Sequence, residues 1–258
     1  MRKAMALWLA AAWLSGAPMV GGCAPSPAVY QVSTLQALMQ GAYEGQVPCR
    51  DLPQYGTLGI GTFDALDGEL ILLDGHVYQA TADGRVVRDP PTTTPFANVV
   101  RFEPQTVVRD LPGPLSLEKL LAMLDRIAGA KNLLYAVRID GRFRRMKVRS
   151  VPRQARPYPP LAEAAKEQRV FDLQDVHGTL VGFRFPEYMR GVNMPGWHLH
   201  FISDDRRSGG HVLDLQGGPL DVRLQAIRRF EMTLPVSGTF AEADLSKDMS
   251  GEIRQVEK

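Results

Sequence analysis

Three of the five histidines, His198, His200 and His211, lie within fourteen residues of one another. Successive side chains of a β-strand point to opposite faces, so a strand over residues 197–202 places His198 and His200 on one face. The polar residues 204–210 are typical of a hairpin loop, which would return His211 on an adjacent antiparallel strand. Three imidazoles leave a divalent cation its full charge and at least one open coordination position. The spacing therefore predicts a zinc site of the catalytic kind.

Other interpretations of these histidines stay open from the residues alone. A His-x-His pair also occurs on solvated strand faces, and iron, manganese, cobalt or nickel bind the same ligands. A cupin-like oxygenase or hydrolase would use such strands too, whereas an exported metal-binding lipoprotein would hold zinc without turnover. The remaining histidines, His76 and His177, have no comparable neighbours and are predicted to be structural.

The composition is that of a globular protein. The chain has 258 residues, of which 45% are hydrophobic and 22% are charged, and it is long enough to bury a substantial core. Thirty basic and 28 acidic side chains give a formal net charge of +2, and they are interspersed instead of forming runs. Nucleic acid is therefore not an expected partner.

The N-terminus has the charge order of a secretory signal. Arg2 and Lys3 precede an apolar stretch over residues 4–17, which is too short for a comfortable membrane span. The stretch leads to Cys23 in an order that resembles the lipobox of bacterial lipoproteins. We expect residues 1–23 to be a signal and residues 24–28 a tether, with export to the periplasm or the medium. A lipid anchor at Cys23 and ordinary cleavage nearby both stay open.

Asp-Gly dipeptides predict a series of antiparallel hairpins. They separate the strand-like segments 57–62, 69–73 and 76–81 and, further on, the segments 133–139 and 143–151. The last of these hairpins would turn at Asp140-Gly141. Short helices are expected over residues 33–40 and 161–168, and a strongly periodic helix begins near Ser116 and ends at Gly129.

Four prolines between residues 152 and 160 predict a boundary between two parts of the chain. Residues 29–152 would form an N-terminal sheet-rich subdomain, and residues 153–258 a C-terminal subdomain with the metal-binding strands and the tail. A weak internal similarity at an offset of 122 residues, which aligns Gly56-Thr57-Leu58 with Gly178-Thr179-Leu180, supports this division. The strands would be mainly antiparallel, with a few helices.

Beyond the histidines, the sequence resembles the bacterial alpha-acetolactate decarboxylase family over nearly all of the chain after the signal. The segments that carry the resemblance are Leu66-Asp67-Gly68-Glu69, Thr94-Pro95-Phe96, Tyr135-Ala136-Val137, residues 147–152, Pro157-Tyr158-Pro159, residues 178–183, Pro195-Gly196-Trp197-His198-Leu199-His200-Phe201-Ile202 and Ser208-Gly209-Gly210-His211-Val212-Leu213. The resemblance implies an α/β (mixed α+β) fold of two packed, sheet-rich parts with the metal in the cleft between them.

The family's functional residues fall on matching positions of this chain. Zinc would be held by His198, His200 and His211, and the catalytic residues would be Glu69, Arg149 and Glu257, with Glu252 as the alternative to Glu257 in the tail. The implied reaction is the metal-dependent decarboxylation of (S)-2-acetolactate to (R)-acetoin and carbon dioxide, in acetoin and 2,3-butanediol biosynthesis. The implied partner is this small substrate, and a homodimer is left open.

A mechanism consistent with these residues needs no organic cofactor. Zinc would act as a Lewis acid on the substrate oxygens and stabilise the charge left when carbon dioxide departs. The planar guanidinium of Arg149 would hold the substrate carboxylate through paired hydrogen bonds. Glu69 would hold or relay the proton that reaches carbon, and Glu257 would close the site from the tail.

Overall fold

The computed structural model describes residues 27–247, 249 and 251–252. Four α-helices occur in this part of the chain: α1 (Leu35–Met39), α2 (Leu117–Ala128), α3 (Leu161–Ala164) and α4 (Thr239–Glu242). Its strands are β1 (Ala28–Val32), β2 (Val47–Pro48), β3 (Leu58–Thr62), β4 (Glu69–Leu73), β5 (His76–Ala80), β6 (Val86–Arg88), β7 (Thr93–Thr94), β8 (Ala97–Val100), β9 (Thr106–Leu111), β10 (Leu115–Ser116), β11 (Leu134–Ser150), β12 (Arg169–Phe185), β13 (Gly196–Ser203), β14 (Gly209–Ile227) and β15 (Arg229–Thr233).

Two large sheets contain all of these strands except β2 and β7, which pair with each other. The first sheet has seven strands in the order β15-β1-β8-β3-β4-β5-β6, and the second has the order β10-β14-β11-β12-β13 with β9 added alongside β14. β13 also pairs with the start of β14, so the second sheet curls at the end that carries the histidines. β1 and β15 pair in parallel, and the other strand ladders of the described residues are antiparallel. The predicted mixed fold with mainly antiparallel strands is confirmed.

An apolar core joins the two sheets face to face. Ile71 and Val100 of the first sheet belong to the same buried cluster as Phe183 and Ile202 of the second. A separate cluster packs α2 on the other face of the second sheet through Leu120 and its neighbours. Burial of such apolar area is the main force that fixes the position of one sheet on the other.

Most of the predicted elements are confirmed. Asp74-Gly75 joins β4 to β5, and both residues have positive φ (53° and 82°), which fits a turn of the type that suits hairpins. α1 begins after Thr34, whose side chain accepts a hydrogen bond from the Ala37 amide, and Ser116 caps α2 in the same way. Gly129 ends α2 with a positive φ of 73°.

The hairpin predicted at Asp140-Gly141 is wrong, because β11 runs without interruption through this dipeptide. Asp140 faces Thr179 of β12 on one side and Asp221 of β14 on the other. Backbone pairing on both edges keeps the dipeptide extended, and the Asp140 carboxylate accepts hydrogen bonds from Arg138 and Thr179. Tertiary pairing here overrides the local turn preference.

Gly141 allows β11 to approach β14 closely and is not part of a turn. A Cβ atom at Gly141 would lie 2.7 Å from Leu220 Cδ2 and 3.0 Å from the Pro219 carbonyl oxygen. We expect Gly141→Ala to lower the free energy of unfolding by about 1–3 kcal/mol, as overpacking does, measured by urea denaturation. Gly251→Ala, at a position with no described atom within 4 Å, should leave the value unchanged. Equal stability of both variants would contradict this account.

No single point in the sequence separates the strands of the first sheet from those of the second. Residues 28–100 supply strands of the first sheet and residues 106–227 those of the second, and β15 then returns to the first. The boundary at residue 152 stays a prediction about folding units. The signal, the tether up to residue 26, Cys23 and Glu257 lie outside the described residues. Among the described residues, no helix has the length and apolar character needed to cross a membrane.

Candidate metal centre

The hairpin formed by β13 and β14 brings the three histidines together as predicted. His198 and His200 lie two residues apart on β13, and His211 of β14 is the cross-strand partner of His200. His198 Nε2 is 2.9 Å from His211 Nδ1 and 3.2 Å from His200 Nε2. One ligand atom from each ring lies within 4.8 Å of the others. This trio is the group found among the described residues that could hold a metal ion.

Ser203 shapes the loop that returns the chain to His211. Its backbone amide donates to the Ser208 carbonyl at 2.8 Å, and its buried hydroxyl accepts hydrogen bonds from the amides of Arg207 and Ser208. The hydroxyl also donates to the Asp205 carboxylate at 2.6 Å. These bonds fix the length of the hairpin and therefore the register that sets His211 opposite His200.

A backbone carbonyl of the first sheet orients His200. The Nδ1 atom of His200 lies 2.9 Å from the Leu70 carbonyl oxygen. A carbonyl can only accept, so Nδ1 carries the proton and Nε2 keeps its lone pair. Partners of this kind set the tautomer of metal-binding histidines. The sequence pattern did not predict this contact, because it depends on how the two sheets stack.

The environment keeps the three imidazoles neutral. Burial, and next the charge of Arg149, lowers the pKa of His198 to about 3. The pKa values of His200 and His211 are also well below the usual range, with burial as the largest cause, followed by His198 for His200 and by Arg149 for His211. Neutral imidazole is the form that binds metals, so these donors fit a divalent cation.

Arg149 lies on the same face of the second sheet as the histidines. It is the cross-strand partner of His211, and directly opposed residues share a face. Its side chain is 4% exposed, and Nη1 donates to Gln168 Oε1 at 3.3 Å. The Nε atom is buried and has no hydrogen-bond partner among the described residues. Within that part of the chain no carboxylate pairs with Arg149, whose guanidinium lines the pocket.

Glu69 reaches the site from the first sheet. It is the first residue of β4 and is 8% exposed. Its Oε2 atom is 3.5 Å from His200 Nε2. The cleft between the sheets therefore brings together a carboxylate from one side and three imidazoles and a guanidinium from the other.

The cleft is small and has apolar walls. A cavity of about 50 Å³ is lined by all five of these side chains, which are Glu69, Arg149, His198, His200 and His211. Its other lining residues are Leu35, Leu38, Gly61, Thr62, Leu66, Phe96, Val151 and Leu161. Two surface cavities of about 640 and 660 Å³ are larger but contain none of the histidines of the trio.

Neither His76 nor His177 belongs to the trio. His76 Nδ1 is 3.0 Å from Asp89 Oδ2 at the surface, and His177 is an exposed residue of β12. Glu257 lies outside the described residues, and Glu252 is described as partly exposed. Thr62, Gln168 and the Leu70 carbonyl take part in the site or support it, and sequence reasoning did not single them out.

Fold and site together define a protein with a pocket between two stacked sheets in which three histidines could hold a metal ion. The chain belongs to the alpha-acetolactate decarboxylase family, whose sequence profile matches residues 29–247. It is 48% identical over 236 residues to the alpha-acetolactate decarboxylase of Methanosarcina mazei, which covers 90% of this chain and 81% of that protein. The corresponding protein of Methylococcus capsulatus is 43% identical over 230 residues and covers 89% of this chain and 88% of its own length.

A solved structure agrees with the fold. The crystal structure of alpha-acetolactate decarboxylase from Bacillus subtilis strain 168 superimposes with a TM-score of 0.86 at 36% sequence identity. The superposition covers 89% of this chain and 98% of the other. The resemblance expected from the sequence segments is therefore confirmed.

Proposed function

We propose that this chain decarboxylates (S)-2-acetolactate to (R)-acetoin and carbon dioxide, with a divalent metal, Zn²⁺ as the first choice, held by His198, His200 and His211. Membership of the family supports the reaction. The observation that carries the assignment to this pocket is the buried Arg149 guanidinium, which has no carboxylate partner among the described residues and shares a face with the three imidazoles. A buried charge is costly unless it is paired, so the site favours a small anionic ligand.

Arg149 has the geometry to hold the substrate carboxylate. The guanidinium presents a planar fork that can donate two parallel hydrogen bonds to a carboxylate. Gln168 accepts from Nη1 and limits rotation of the fork. The carboxylate that leaves would thus be held at a fixed angle to the bond that breaks.

The metal would supply Lewis-acid stabilisation of the charge that develops on the substrate oxygens when carbon dioxide leaves. The carbon–carbon bond breaks with its electron pair retained by the organic fragment, and one proton must then be added to carbon. Glu69 is the buried acid beside the trio and delivers this proton from the side of the first sheet, after which solvent restores it. Delivery from one side accounts for a single hand of acetoin. The tail glutamate, Glu257 or alternatively Glu252, is proposed as a second acid–base group.

The direct test uses purified, metal-loaded protein and 2-acetolactate. Formation of carbon dioxide and acetoin in equal amounts, without oxygen uptake, supports the proposal. Oxygen consumption would favour a cupin-like oxygenase, and tight zinc binding without turnover would favour a metal-binding lipoprotein. Zinc, iron, manganese, cobalt and nickel forms compared in the same assay would identify the active metal.

Glu69→Gln is expected to keep the metal and lose most of the turnover. The amide has the size of the carboxylic acid but does not exchange a proton near neutral pH, so kcat should fall by about 10²- to 10⁴-fold. Metal content by elemental analysis and kcat by acetoin formation provide the measurement. Glu118→Gln, at an exposed position in the first turn of α2, is the matched control and should behave as wild type. A Glu69→Gln enzyme with wild-type kcat would remove the residue from the mechanism.

We further propose export of the chain through the signal at residues 1–23, followed either by lipid attachment at Cys23 or by ordinary cleavage nearby. The charge order and the lipobox-like sequence support this proposal. Mass spectrometry of the mature protein tests it: an N-terminus at Cys23 with an acyl mass supports anchoring, and an unmodified N-terminus nearby supports simple cleavage.

A further inference from the structure

The short helix α1 has two faces with different contacts. Leu35 and Leu38 line the metal pocket. Gln36 and Gln40 point away from these leucines and reach the C-terminal segment, more than 200 residues away in sequence. This part of the chain therefore lies between the pocket and residues 244–247.

Side-chain amides of this helix hold the backbone of residues 244–247. Gln36 Nε2 donates to the carbonyl oxygens of Leu245 at 2.6 Å and of Lys247 at 2.5 Å. Gln40 Nε2 donates to the Asp244 carbonyl at 2.7 Å. Three carbonyls in four consecutive residues are thus satisfied by two glutamines. We call Gln36 and Gln40 the amide clamp.

Further contacts bring the same segment to the pocket wall. Met249 packs against the apolar cluster that includes Leu35, Leu38 and Leu161, all of which line the cavity. Earlier in the segment, Thr239 donates to the Glu44 carboxylate at 2.9 Å, next to the end of α1. The segment therefore crosses the outer side of the wall that α1 forms, before the chain continues to Glu252 and Glu257.

Backbone hydrogen bonds also connect α1 to the segment before β13, the strand that carries His198 and His200. The backbone amides of Leu35 and Gln36 donate to the carbonyls of Val192 and Gly191, at 3.0 and 2.9 Å. Val192 and Gly191 lie four and five positions before Gly196, the first residue of β13. Backbone hydrogen bonds thus connect α1 to the segment that leads into β13, and the side chains of Gln36 and Gln40 connect the same region to residues 244–247.

We propose that Gln36 and Gln40 are positioning residues for the reaction, which anchor residues 244–247 at the pocket wall and so set the point on that wall from which the chain continues toward the tail glutamates. This inference rests on the proposed function of the tail. The clamp acts through backbone carbonyls, so it needs donors at these positions and is independent of the side chains of residues 244–247. A carboxylate in place of either amide keeps the shape but removes the donors and repels the carbonyls.

The test compares Gln36→Glu and Gln40→Glu with wild type in the metal-loaded, full-length protein. Hydrogen–deuterium exchange in residues 240–252 should become faster by about tenfold or more for Gln36→Glu, which loses two bonds, and by less for Gln40→Glu. Zinc content should stay unchanged, and kcat should fall with little change in KM. Gln174→Glu, which makes the same exchange of groups on the exposed part of β12, is the matched control and should change neither quantity.

A chain truncated after residue 243 tests whether the effect of Gln36→Glu on kcat depends on the tail. If the clamp acts through the tail, Gln36→Glu lowers kcat in the full chain but changes it by less than about twofold in the truncated chain. Equal losses in both chains, or unchanged exchange in residues 240–252 of Gln36→Glu, would overturn the clamp. Truncation that leaves kcat unchanged would instead disprove the catalytic role of the tail glutamates, while the exchange result would still decide whether the clamp exists.

Discussion

Replacing His200 with alanine is expected to remove the metal and the activity together. His200 is 1% exposed, its Nδ1 donates to the Leu70 carbonyl, and its Nε2 faces the nitrogen atoms of the other two imidazoles. Loss of a partner that merely orients a ligand already costs about 10- to 100-fold in metal affinity. Loss of the ligand itself should cost more, so zinc content after dialysis should fall towards zero and acetoin formation should reach background.

The control for His200→Ala is His177→Ala, which removes an exposed histidine from the neighbouring strand β12. That variant should retain one equivalent of zinc and wild-type kcat. Circular dichroism of both variants is the check that they are folded. A folded His200→Ala protein with full zinc content and full turnover would contradict the proposed metal centre, and full turnover without zinc would exclude metal chemistry at this site.

Arg149→Ala is expected to separate metal binding from catalysis. The guanidinium is not within the ligand set, so zinc should be retained, whereas the substrate carboxylate loses its partner. Removal of a preorganised electrostatic contact of this kind lowers turnover by about 10²- to 10³-fold, and a buried charge-assisted fork lies at the upper end or beyond. The measurement is kcat/KM for 2-acetolactate beside zinc content in the same preparation.

Two further variants sharpen this result. Arg149→Lys keeps the charge but not the planar fork, so its kcat/KM should fall between wild type and Arg149→Ala. Arg145→Ala removes an arginine of the same strand that pairs with Asp172 on the protein surface, and it should remain within about twofold of wild type. Wild-type kinetics for Arg149→Ala would refute the assignment of the carboxylate to this residue.

The parts of the fold that the sequence predicted depend on local interactions. The turn at Asp74-Gly75, the capped start of α2 at Ser116 and the hairpin that carries His211 each follow from residues within a few positions of one another. In such cases turn chemistry, capping and strand alternation decide the structure without help from distant segments. The three-histidine cluster was predictable for this reason, since all three imidazoles belong to one hairpin.

The parts that could not be predicted depend on contacts between distant segments. Asp140-Gly141 has the sequence of a turn but stays extended, because β12 and β14 pair with it on both sides. The tautomer of His200 is set by a carbonyl 130 residues away, and the amide clamp joins positions separated by more than 200 residues. Resemblance, and not periodicity, singled out Glu69 and Arg149, because a lone charged residue on a strand carries no pattern of its own.

The division of the site between two sheets has a consequence for how its sequence can change. The imidazoles and the guanidinium stand on one sheet and the Glu69 carboxylate on the other, and the apolar layer of Ile71, Phe183 and Ile202 sets the gap between them. A shift of about 1 Å in the placement of a reacting group can cost about a hundredfold in rate. Selection for catalysis therefore acts on this buried layer as well, and substitutions there would lower the rate while leaving the three-histidine cluster intact.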